Sequence, residues 1–258
     1  MRKAAGLAYV RCGVGPRLLL MQGAAATHRH WGDGFLSALA AHFEVVAVDH
    51  RGTGQSAAAD GPFTVADLAD DAAGLLDAVG WSSAHVAGVS MGGMVAQELA
   101  MRHPGRVASL FLGCTRGGRP LPRPAAAAGV AAAVVRGDAS ATAYNLFRLG
   151  VRDPGTVRPD AWAEYRDAML TTPVPPRTTA LQIGAMSAHG PADRLHLVTA
   201  PTTVVHGDTD RLLAADAGAQ LAAEIPGARF VLLRAGHLFW LEQPEQAADL
   251  IRRGAARA

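Results

Sequence analysis

One serine of this chain is set among small residues in a way that suits a nucleophile. Ser90 is the centre of a G-x-S-x-G pattern over residues 88–92. A mostly apolar run, 84–89, precedes it, and a helix-like run, 94–101, follows it. This context predicts a sharp strand-to-helix turn, which pushes the serine hydroxyl away from the backbone and toward a substrate carbonyl. Small residues on both sides of the serine allow the strand and the helix to approach closely.

A serine hydroxyl is a weak nucleophile that needs a base, and the base needs an acid to orient it. In an open α/β sheet the ligand site lies beyond the carboxyl ends of the strands, so both partners should directly follow strands. Asp208 and Asp210 follow the apolar run 203–205, and His237 follows the run 230–233. Ser, Asp, His is one of the known chain orders of a catalytic triad. Spacing alone leaves either aspartate as the acid.

The other histidines predict no metal site. His28 and His30 form an H-x-H pair, but no cluster of aspartate, glutamate or cysteine accompanies them in the sequence. They are interpreted as loop histidines near the mouth of a pocket. His85 and His206 fall within apolar runs, which indicates core positions with satisfied ring nitrogens.

Composition narrows the function classes. Of 258 residues, 50% are hydrophobic and 18% are charged, which suits one α/β domain with an insertion. The net charge is +2 without a basic stripe, so nucleic acid is not an expected partner. Lys3 is the only lysine, which excludes a phosphate-binding lysine loop and a buried Schiff-base lysine. Cys12 and Cys114 form no metal-binding motif, and no cofactor is expected.

No signal peptide or membrane span is expected. The basic first three residues are not followed by an apolar segment, because Gly6, Arg11 and Gly13 interrupt it. The longest apolar stretch, around 125–135, is too short to cross a bilayer. We therefore expect a cytoplasmic protein without a membrane partner, and a homodimer is compatible with the sequence.

Short apolar runs alternate with amphipathic segments along the chain. The runs are continuous, which is typical of strands buried on both faces of a parallel sheet. Strand–helix alternation of this kind predicts an α/β fold with a doubly wound, mostly parallel sheet. Strands are predicted at 18–21, 45–48, 85–89, 107–112, 203–205 and 230–233, and helices at 35–41, 64–79, 91–102, 214–225 and 244–253.

The stretch 116–198 breaks this alternation because it contains no convincing strand. We expect a helical cap inserted over the site, with 1–115 and 199–258 forming the core. The alternative is a set of ordinary helices that cover the sheet. Helices within the insertion are predicted at 125–136, 141–149, 159–170 and 177–189.

Several short motifs are shared with a known family. They are Asp-His-Arg-Gly-Thr-Gly-Gln-Ser at 49–56, Gly-Val-Ser-Met-Gly-Gly at 88–93, Gly-Asp-Thr-Asp at 207–210, Gly-His at 236–237 and Glu-Gln-Pro-Glu at 242–245. Together they resemble the α/β-hydrolase fold family, and within it serine esterases and lactonases similar to 3-oxoadipate enol-lactonase. The resemblance extends over 17–116 and 198–252, and the insertion is similar only in kind.

The resemblance implies roles for individual residues. It places the triad acid three residues after the glycine that ends its strand, which is Asp210, with Asp208 as the structural alternative. The backbone N–H groups of Met91 and Ala24 would form the oxyanion hole. The family usually has His-Gly in the loop before the second donor, whereas this chain has Gln22 in place of the histidine.

The implied activity is hydrolysis of a carboxylic ester or lactone, and an apolar pocket for a hydrophobic small molecule is expected. The same triad used for perhydrolase or carbon–carbon bond chemistry is one alternative, and a non-catalytic ligand-binding module is another. The candidate pocket residues, for which helix packing is the alternative role, are Gln22, Tyr144, Phe147, Trp162, Met169, Met186, Leu238 and Phe239.

Overall fold

The centre of the molecule is one eight-stranded sheet. The computed structural model describes residues 1–118 and 138–258. The strands are β1 (Arg2–Ala4), β2 (Leu7–Cys12), β3 (Arg17–Met21), β4 (Glu44–Val48), β5 (Ala84–Val89), β6 (Val107–Gly113), β7 (Thr202–Gly207) and β8 (Arg229–Leu233). Their order across the sheet is β1-β2-β4-β3-β5-β6-β7-β8. β2 pairs antiparallel with β1 and β4, and the other neighbours are parallel.

Helices follow most of the strands. In the described ranges the α-helices are α1 (Asp33–Ala40), α2 (Val65–Ala78), α3 (Met91–Arg102), α4 (Ala139–Gly150), α5 (Pro159–Thr171), α6 (Pro176–Ala188), α7 (Ala215–Glu224), α8 (Phe239–Glu242) and α9 (Pro244–Ala255). Short 3-10 helices span His28–Trp31, Pro104–Arg106 and Leu195–Leu197.

Hydrophobic cores lie on both faces of the sheet. Successive residues of β3 point to opposite faces, so Leu19 and Met21 belong to one core, and Leu18 and Leu20 to the other. All four are fully buried, which explains why the strand sequence is continuously apolar. α2, α3 and α7 contribute to the first core, and α1 and α9 to the second. The predicted doubly wound, mostly parallel sheet is confirmed.

Parallel pairing brings the carboxyl ends of six strands, β3 to β8, to one edge of the sheet. β5 lies between β3 and β6, and Met21 of β3 pairs with Gly88 of β5. β7 lies beyond β6, and its Gly207 pairs with Leu233 of β8. The segments that directly follow these strands therefore share one edge, where α/β sheets place their ligand sites. The predicted triad and oxyanion residues all lie in those segments.

The six predicted strands are confirmed, but the N-terminal hairpin is not predicted from the sequence. Two residues, Ala5 and Gly6, join β1 to β2 with φ values of 49° and 77°. Two positive φ values define a tight turn that fits the twist of antiparallel strands. The usual signal for it is Asn-Gly or Asp-Gly, and alanine in the first position hides that signal.

Between β6 and β7 the described residues form helices and no strand. The helices predicted at 141–149, 159–170 and 177–189 are confirmed as α4, α5 and α6. The helix predicted at 125–136 lies outside the described residues. Across the ranges that the structure describes, no helix is both long enough and apolar enough to pass through a bilayer.

Candidate active site

Ser90 stands at the junction of β5 and α3 in a strained backbone conformation. Its φ is 54° and its ψ is −120°, a region that residues other than glycine rarely adopt. The end of β6 and the segment after it hold the turn. The Ser90 N–H donates to the carbonyl of Gly113, the last residue of β6, at 2.9 Å, and the Thr115 hydroxyl donates to the Ser90 carbonyl at 2.7 Å. Such strain at a strand-to-helix junction is typical of a nucleophile turn.

Three glycines around the serine leave no room for a β-carbon. At Gly88 it would lie 2.1 Å from the Gly92 carbonyl oxygen, and at Gly92 it would lie 2.1 Å from the Met21 carbonyl oxygen. At Gly93 it would lie 2.6 Å from the Thr115 side chain. The backbones of β3, β5 and α3 are therefore packed directly against one another at the turn.

Gly92→Ala is expected to lower the free energy of unfolding by roughly 3 kcal/mol, because its methyl group would collide with a backbone carbonyl of a central strand. Gly74→Ala is the matched control. Gly74 lies inside α2 with nothing within 4 Å of a β-carbon. Alanine there should raise the free energy of unfolding by about 0.5 to 1 kcal/mol. Urea denaturation measures the free energy of unfolding of both variants. Equal values for the two variants would contradict the close packing of backbone around Gly92.

The loop that follows β3 packs against the serine. A β-carbon on Gly23 would lie 3.1 Å from Ser90 Cβ. The Gly23 N–H donates to Gln22 Oε1 at 2.9 Å, and His50 Nε2 donates to the Gln22 carbonyl at 3.1 Å. Burial lowers the pKa of His50, so this ring is a neutral donor. Gln22 and His50 thus fix the loop that carries Ala24.

Two backbone N–H groups beside the serine are unpaired. Within the described residues, neither the Ala24 N–H nor the Met91 N–H donates a hydrogen bond. The next residue of the loop, Ala25, has a φ of 56°, and its N–H donates to Gln182 Oε1 of α6 at 2.8 Å. These unpaired groups belong to the two residues predicted to bind the oxyanion, and that role stays a prediction.

His237 and Asp210 form a short buried pair. His237 Nδ1 lies 2.7 Å from Asp210 Oδ2, and the side chains are 9% and 0% exposed. Asp210 Oδ1 accepts the N–H groups of Leu212 and Leu213, each at 2.8 Å. Burial by itself would raise the pKa of Asp210, but His237, His206 and the Leu213 N–H outweigh it and hold that pKa well below its usual range. Asp210 is therefore an ionised acceptor that orients the His237 ring.

Asp208 occupies a different environment. Its carboxylate pairs with the Arg152 guanidinium at 2.5 Å, and about a third of each side chain is exposed (29% and 34%). In the described part of the chain it makes no hydrogen bond to His237. Of the two candidate acids, Asp210 is the one that touches the histidine.

In the part of the chain that the structure describes, Asp210 also belongs to a group of possible metal ligands. The ligand atoms of Cys114, His206 and Asp210 lie within 4.8 Å of one another. Burial raises the pKa of Cys114 well above its usual value, so the thiol stays protonated. Asp210 already accepts hydrogen bonds on both oxygens. The group is therefore held together by hydrogen bonds, and its chemistry does not suit a metal ion.

Glu242 supports the loop that carries His237. Its carboxylate accepts the Gly236 N–H at 2.7 Å and the Arg152 N–H at 2.9 Å. Burial raises the pKa of Glu242, and these hydrogen bonds oppose that shift. Sequence reasoning does not single out Glu242 as a site residue. The available signal is its position as the first residue of the Glu-Gln-Pro-Glu motif.

Ser90 and His237 follow strands of the same sheet edge, but they are not hydrogen-bonded to each other. The Ser90 hydroxyl makes no hydrogen bond within the described ranges. The contact that would join base to nucleophile therefore stays a prediction. The contact that the structure does show is the one between His237 and Asp210.

Some of the other histidines differ from the sequence prediction in their secondary structure, burial or hydrogen bonding. The interpretation of His28 and His30 as loop residues is wrong: they lie in a 3-10 helix and are buried, and His28 Nδ1 contacts Asp49 Oδ1 at 2.9 Å. Burial lowers the pKa of His30 to about 4. His85 and His206 do lie in strands, but Nδ1 of His206 is buried without a hydrogen-bond partner. His206 is thus not the fully satisfied core residue that was expected.

Three of the candidate pocket residues form one aromatic cluster. Trp162 of α5 lies 5.5 Å from Tyr144 and 5.3 Å from Phe147 of α4, measured between ring centroids. Tyr165 packs on Phe147 at 5.5 Å. Phe147 is buried, whereas Tyr144 is 46% exposed. The cluster joins α4 to α5 and leaves one aromatic edge at the surface.

The other candidates are dispersed. Leu238 is buried, and its N–H donates to the Gly150 carbonyl at 2.7 Å. Phe239 is fully buried in the core below β6, where it packs on Phe111. Met169 and Met186 are partly buried against different cores. The structure therefore does not gather the eight candidates around one cavity wall.

Comparison with known proteins identifies the fold. The model of the alpha/beta hydrolase fold family matches residues 16–244. The chain belongs to the α/β-hydrolase family. Its similarity to esterases and lactonases of this family identifies the chain as a hydrolase of esterase and lactonase type.

Similar proteins cover nearly the whole chain. The assigned carbamate hydrolase RutD of Caulobacter segnis is 30% identical over 244 residues, covering 88% of this chain and 86% of that protein. A thermophilic esterase of Thermogutta terrifontis is 30% identical with a TM-score of 0.82, covering 97% and 93% of the two chains. An enol-lactonase of Burkholderia xenovorans is 26% identical with a TM-score of 0.83, covering 97% and 96%. A match to RutD of Azorhizobium caulinodans, 41% identical over 108 residues, spans only 40% of that protein's length.

Proposed function

We propose that this α/β-hydrolase is a serine hydrolase that cleaves a carboxylic ester or lactone of a hydrophobic small molecule. The observation that carries the proposal is the buried 2.7 Å contact between His237 Nδ1 and Asp210 Oδ2, at the sheet edge that also presents the strained Ser90. An ionised acid on Nδ1 keeps Nε2 unprotonated and available to accept a proton. That is the property a serine nucleophile needs in its base.

In the proposed reaction, Ser90 Oγ attacks the substrate carbonyl carbon while its proton passes to His237 Nε2. The oxyanion accepts hydrogen bonds from the N–H groups of Met91 and Ala24. The bond to the alcohol oxygen then breaks, and the alcohol leaves with the proton from His237. Water gives a proton to His237 and attacks the acyl group, which releases the acid and restores the Ser90 hydroxyl. In a lactone, the acid and the alcohol are parts of one product.

We further propose that the insertion, 116–198, is a cap over this site. Its helix α6 contacts the oxyanion loop through Gln182 and the Ala25 N–H. The aromatic cluster between α4 and α5 supplies apolar surface, which supports a hydrophobic substrate. Specificity in this proposal comes from the insertion, and the chemistry comes from the sheet edge.

Carbamate hydrolysis is a second candidate, favoured by the similarity to RutD over 88% of this chain. A carbamate presents the same carbonyl group, and attack by Ser90 would give a carbamoyl-enzyme. Its nitrogen donates electrons into the carbonyl and makes it less reactive than an ester. The two candidates therefore share a mechanism and differ in the substrate bond.

A matched substrate pair distinguishes the two candidates. p-Nitrophenyl butyrate and p-nitrophenyl N-ethylcarbamate have the same shape and leaving group, and differ by a CH2 in place of an NH. We expect the butyrate to give the higher kcat/KM, and the longer octanoate ester to exceed the acetate, as the proposed preference for a hydrophobic substrate requires. Preference for the carbamate would favour the second candidate. No turnover of any of these, together with no labelling by a fluorophosphonate, would refute the serine hydrolase.

A further inference from the structure

His206 is a buried histidine that the proposed reaction does not use. It lies near the end of β7, four residues before Asp210, and its side chain is 0% exposed. Its Nε2 lies 3.0 Å from the Leu213 carbonyl oxygen and 3.2 Å from Asp210 Oδ2. Both neighbours are acceptors, so the proton of this ring is on Nε2. The N–H is shared between them, with the Leu213 carbonyl as the nearer acceptor.

A packing role does not explain why this residue is a histidine. Its Nδ1 is buried without a partner and faces Gly218 of α7, where a β-carbon would lie 2.5 Å from it. An unpaired buried acceptor costs about 1 to 3 kcal/mol, which an apolar side chain of similar size would avoid. What a histidine supplies here and a leucine cannot is an N–H directed toward Asp210 and Leu213.

We propose that His206 is a positioning residue of the triad, which holds Asp210 in place and withdraws electron density from the carboxylate oxygen that supports His237. This inference rests on the proposed function, because it concerns the same triad. The Leu213 carbonyl that His206 binds belongs to the turn whose N–H groups bind Asp210 Oδ1. His206 therefore acts on both oxygens, directly on Oδ2 and through the turn on Oδ1.

The effect on the base follows from the charge on Asp210. A carboxylate that already shares its charge with N–H donors stabilises an imidazolium less than a carboxylate without them. Loss of the His206 N–H should therefore make His237 harder to deprotonate. The acid limb of any reaction that uses neutral His237 should then move to higher pH.

Other ionisable groups near the triad are the same in every variant of His206. Cys114 follows β6, and its thiol stays protonated because burial raises its pKa. Glu242 of α8 accepts two backbone N–H groups on the histidine loop and after α4. Arg152 and Asp208 pair with each other at the surface. A shift seen on replacing His206 is therefore attributable to that ring.

The test measures the rate at which a fluorophosphonate labels Ser90 from roughly pH 5 to 9, because labelling uses the same base and needs no known substrate. His206→Leu removes the N–H, and His206→Gln keeps an N–H donor near the Nε2 position. We expect the acid limb to move up by about 0.5 to 1 pH unit in His206→Leu and to stay at the wild-type pH in His206→Gln. If the leucine variant does not fold, His206→Asn replaces it, because its shorter amide cannot reach the Nε2 position.

His85→Leu is the matched control. His85 lies in β5 and hydrogen-bonds to Ser109 at 2.8 Å, so its loss removes a strand histidine without touching Asp210. The inference would be overturned if the acid limb of the labelling rate did not move in His206→Leu, or in His206→Asn where that variant replaces it. It would also be overturned if the limb moved equally far in His206→Gln or in His85→Leu. Labelling of Ser90→Ala at the wild-type rate would instead overturn the proposed function. The two failures are therefore distinguishable.

Discussion

Ser90→Ala is expected to lower the rate of ester hydrolysis by about 10⁴- to 10⁶-fold without loss of the fold. The variant lacks the one atom that would bond to the acyl group. The N–H groups of Met91 and Ala24 would still polarise a bound carbonyl, and the residual rate comes from them. The bonds that hold the turn, from Gly113 and Thr115, are made to the serine backbone and survive the change.

Ser109→Ala is the matched control for this variant. It also removes one serine hydroxyl from the sheet, but Ser109 lies within β6 and bonds to His85, away from the edge. Initial rates on p-nitrophenyl butyrate should be close to wild type for Ser109→Ala. Thermal unfolding should show both variants folded. A Ser90→Ala enzyme with near wild-type turnover would show that the nucleophile is another group.

Asp210→Asn is expected to lower kcat by about 10⁴-fold, whereas Asp208→Asn should leave it near wild type. Asp210 is the carboxylate in contact with His237 Nδ1. An amide in its place removes the negative charge that stabilises the imidazolium, and its NH2 group can favour the wrong tautomer of the histidine. Asp208 loses only a partly exposed pair with Arg152, worth about 0 to 1 kcal/mol of stability.

The two variants discriminate between the candidate acids because the positions are two residues apart and each substitution replaces one carboxylate oxygen by an NH2 group. Kinetics on one ester substrate compares them directly. The reverse order of effects would identify Asp208 as the acid. Equal, small effects would show that the pair seen with His237 does not serve the reaction.

The Asp210→Asn variant also tests the charge state of this carboxylate. The folded protein holds the pKa of Asp210 below its usual range, so the ionised group stabilises the fold above the unfolded-state pKa of about 3.9. That contribution is lost as the pH falls below this value toward the folded-state pKa. Urea denaturation at neutral pH and near pH 3 should therefore show a smaller loss of stability on acidification in Asp210→Asn than in wild type.

The predictable part of the fold follows from buried parallel strands. Each of the six continuous apolar runs becomes a strand because residues such as Leu18 and Leu19 must both be buried, on opposite faces. The hairpin formed by β1 and β2 escapes prediction because its strands lie toward the sheet edge and are partly exposed. Its Ala5-Gly6 turn also lacks the usual residue types.

At the site, sequence predicts which residues follow which strands but not which atoms meet. Ser90, Asp210 and His237 can be placed at one edge from strand order alone. The support they receive depends on contacts between segments distant in sequence, such as Gln182 with Ala25 and Glu242 with Arg152. His206 illustrates the limit: its apolar neighbours indicate a core residue, and only the folded structure shows its N–H beside the carboxylate.

The junction that follows α4 shares its hydrogen bonds with the histidine loop. Leu238 N–H binds the Gly150 carbonyl, and Glu242 binds both the Gly236 N–H and the Arg152 N–H. This part of the insertion cannot lift from the sheet without breaking those bonds, so any displacement of it is transmitted to the loop that carries His237. Opening a route for substrate at this corner would therefore also displace His237, the proposed base, from its position beside Asp210.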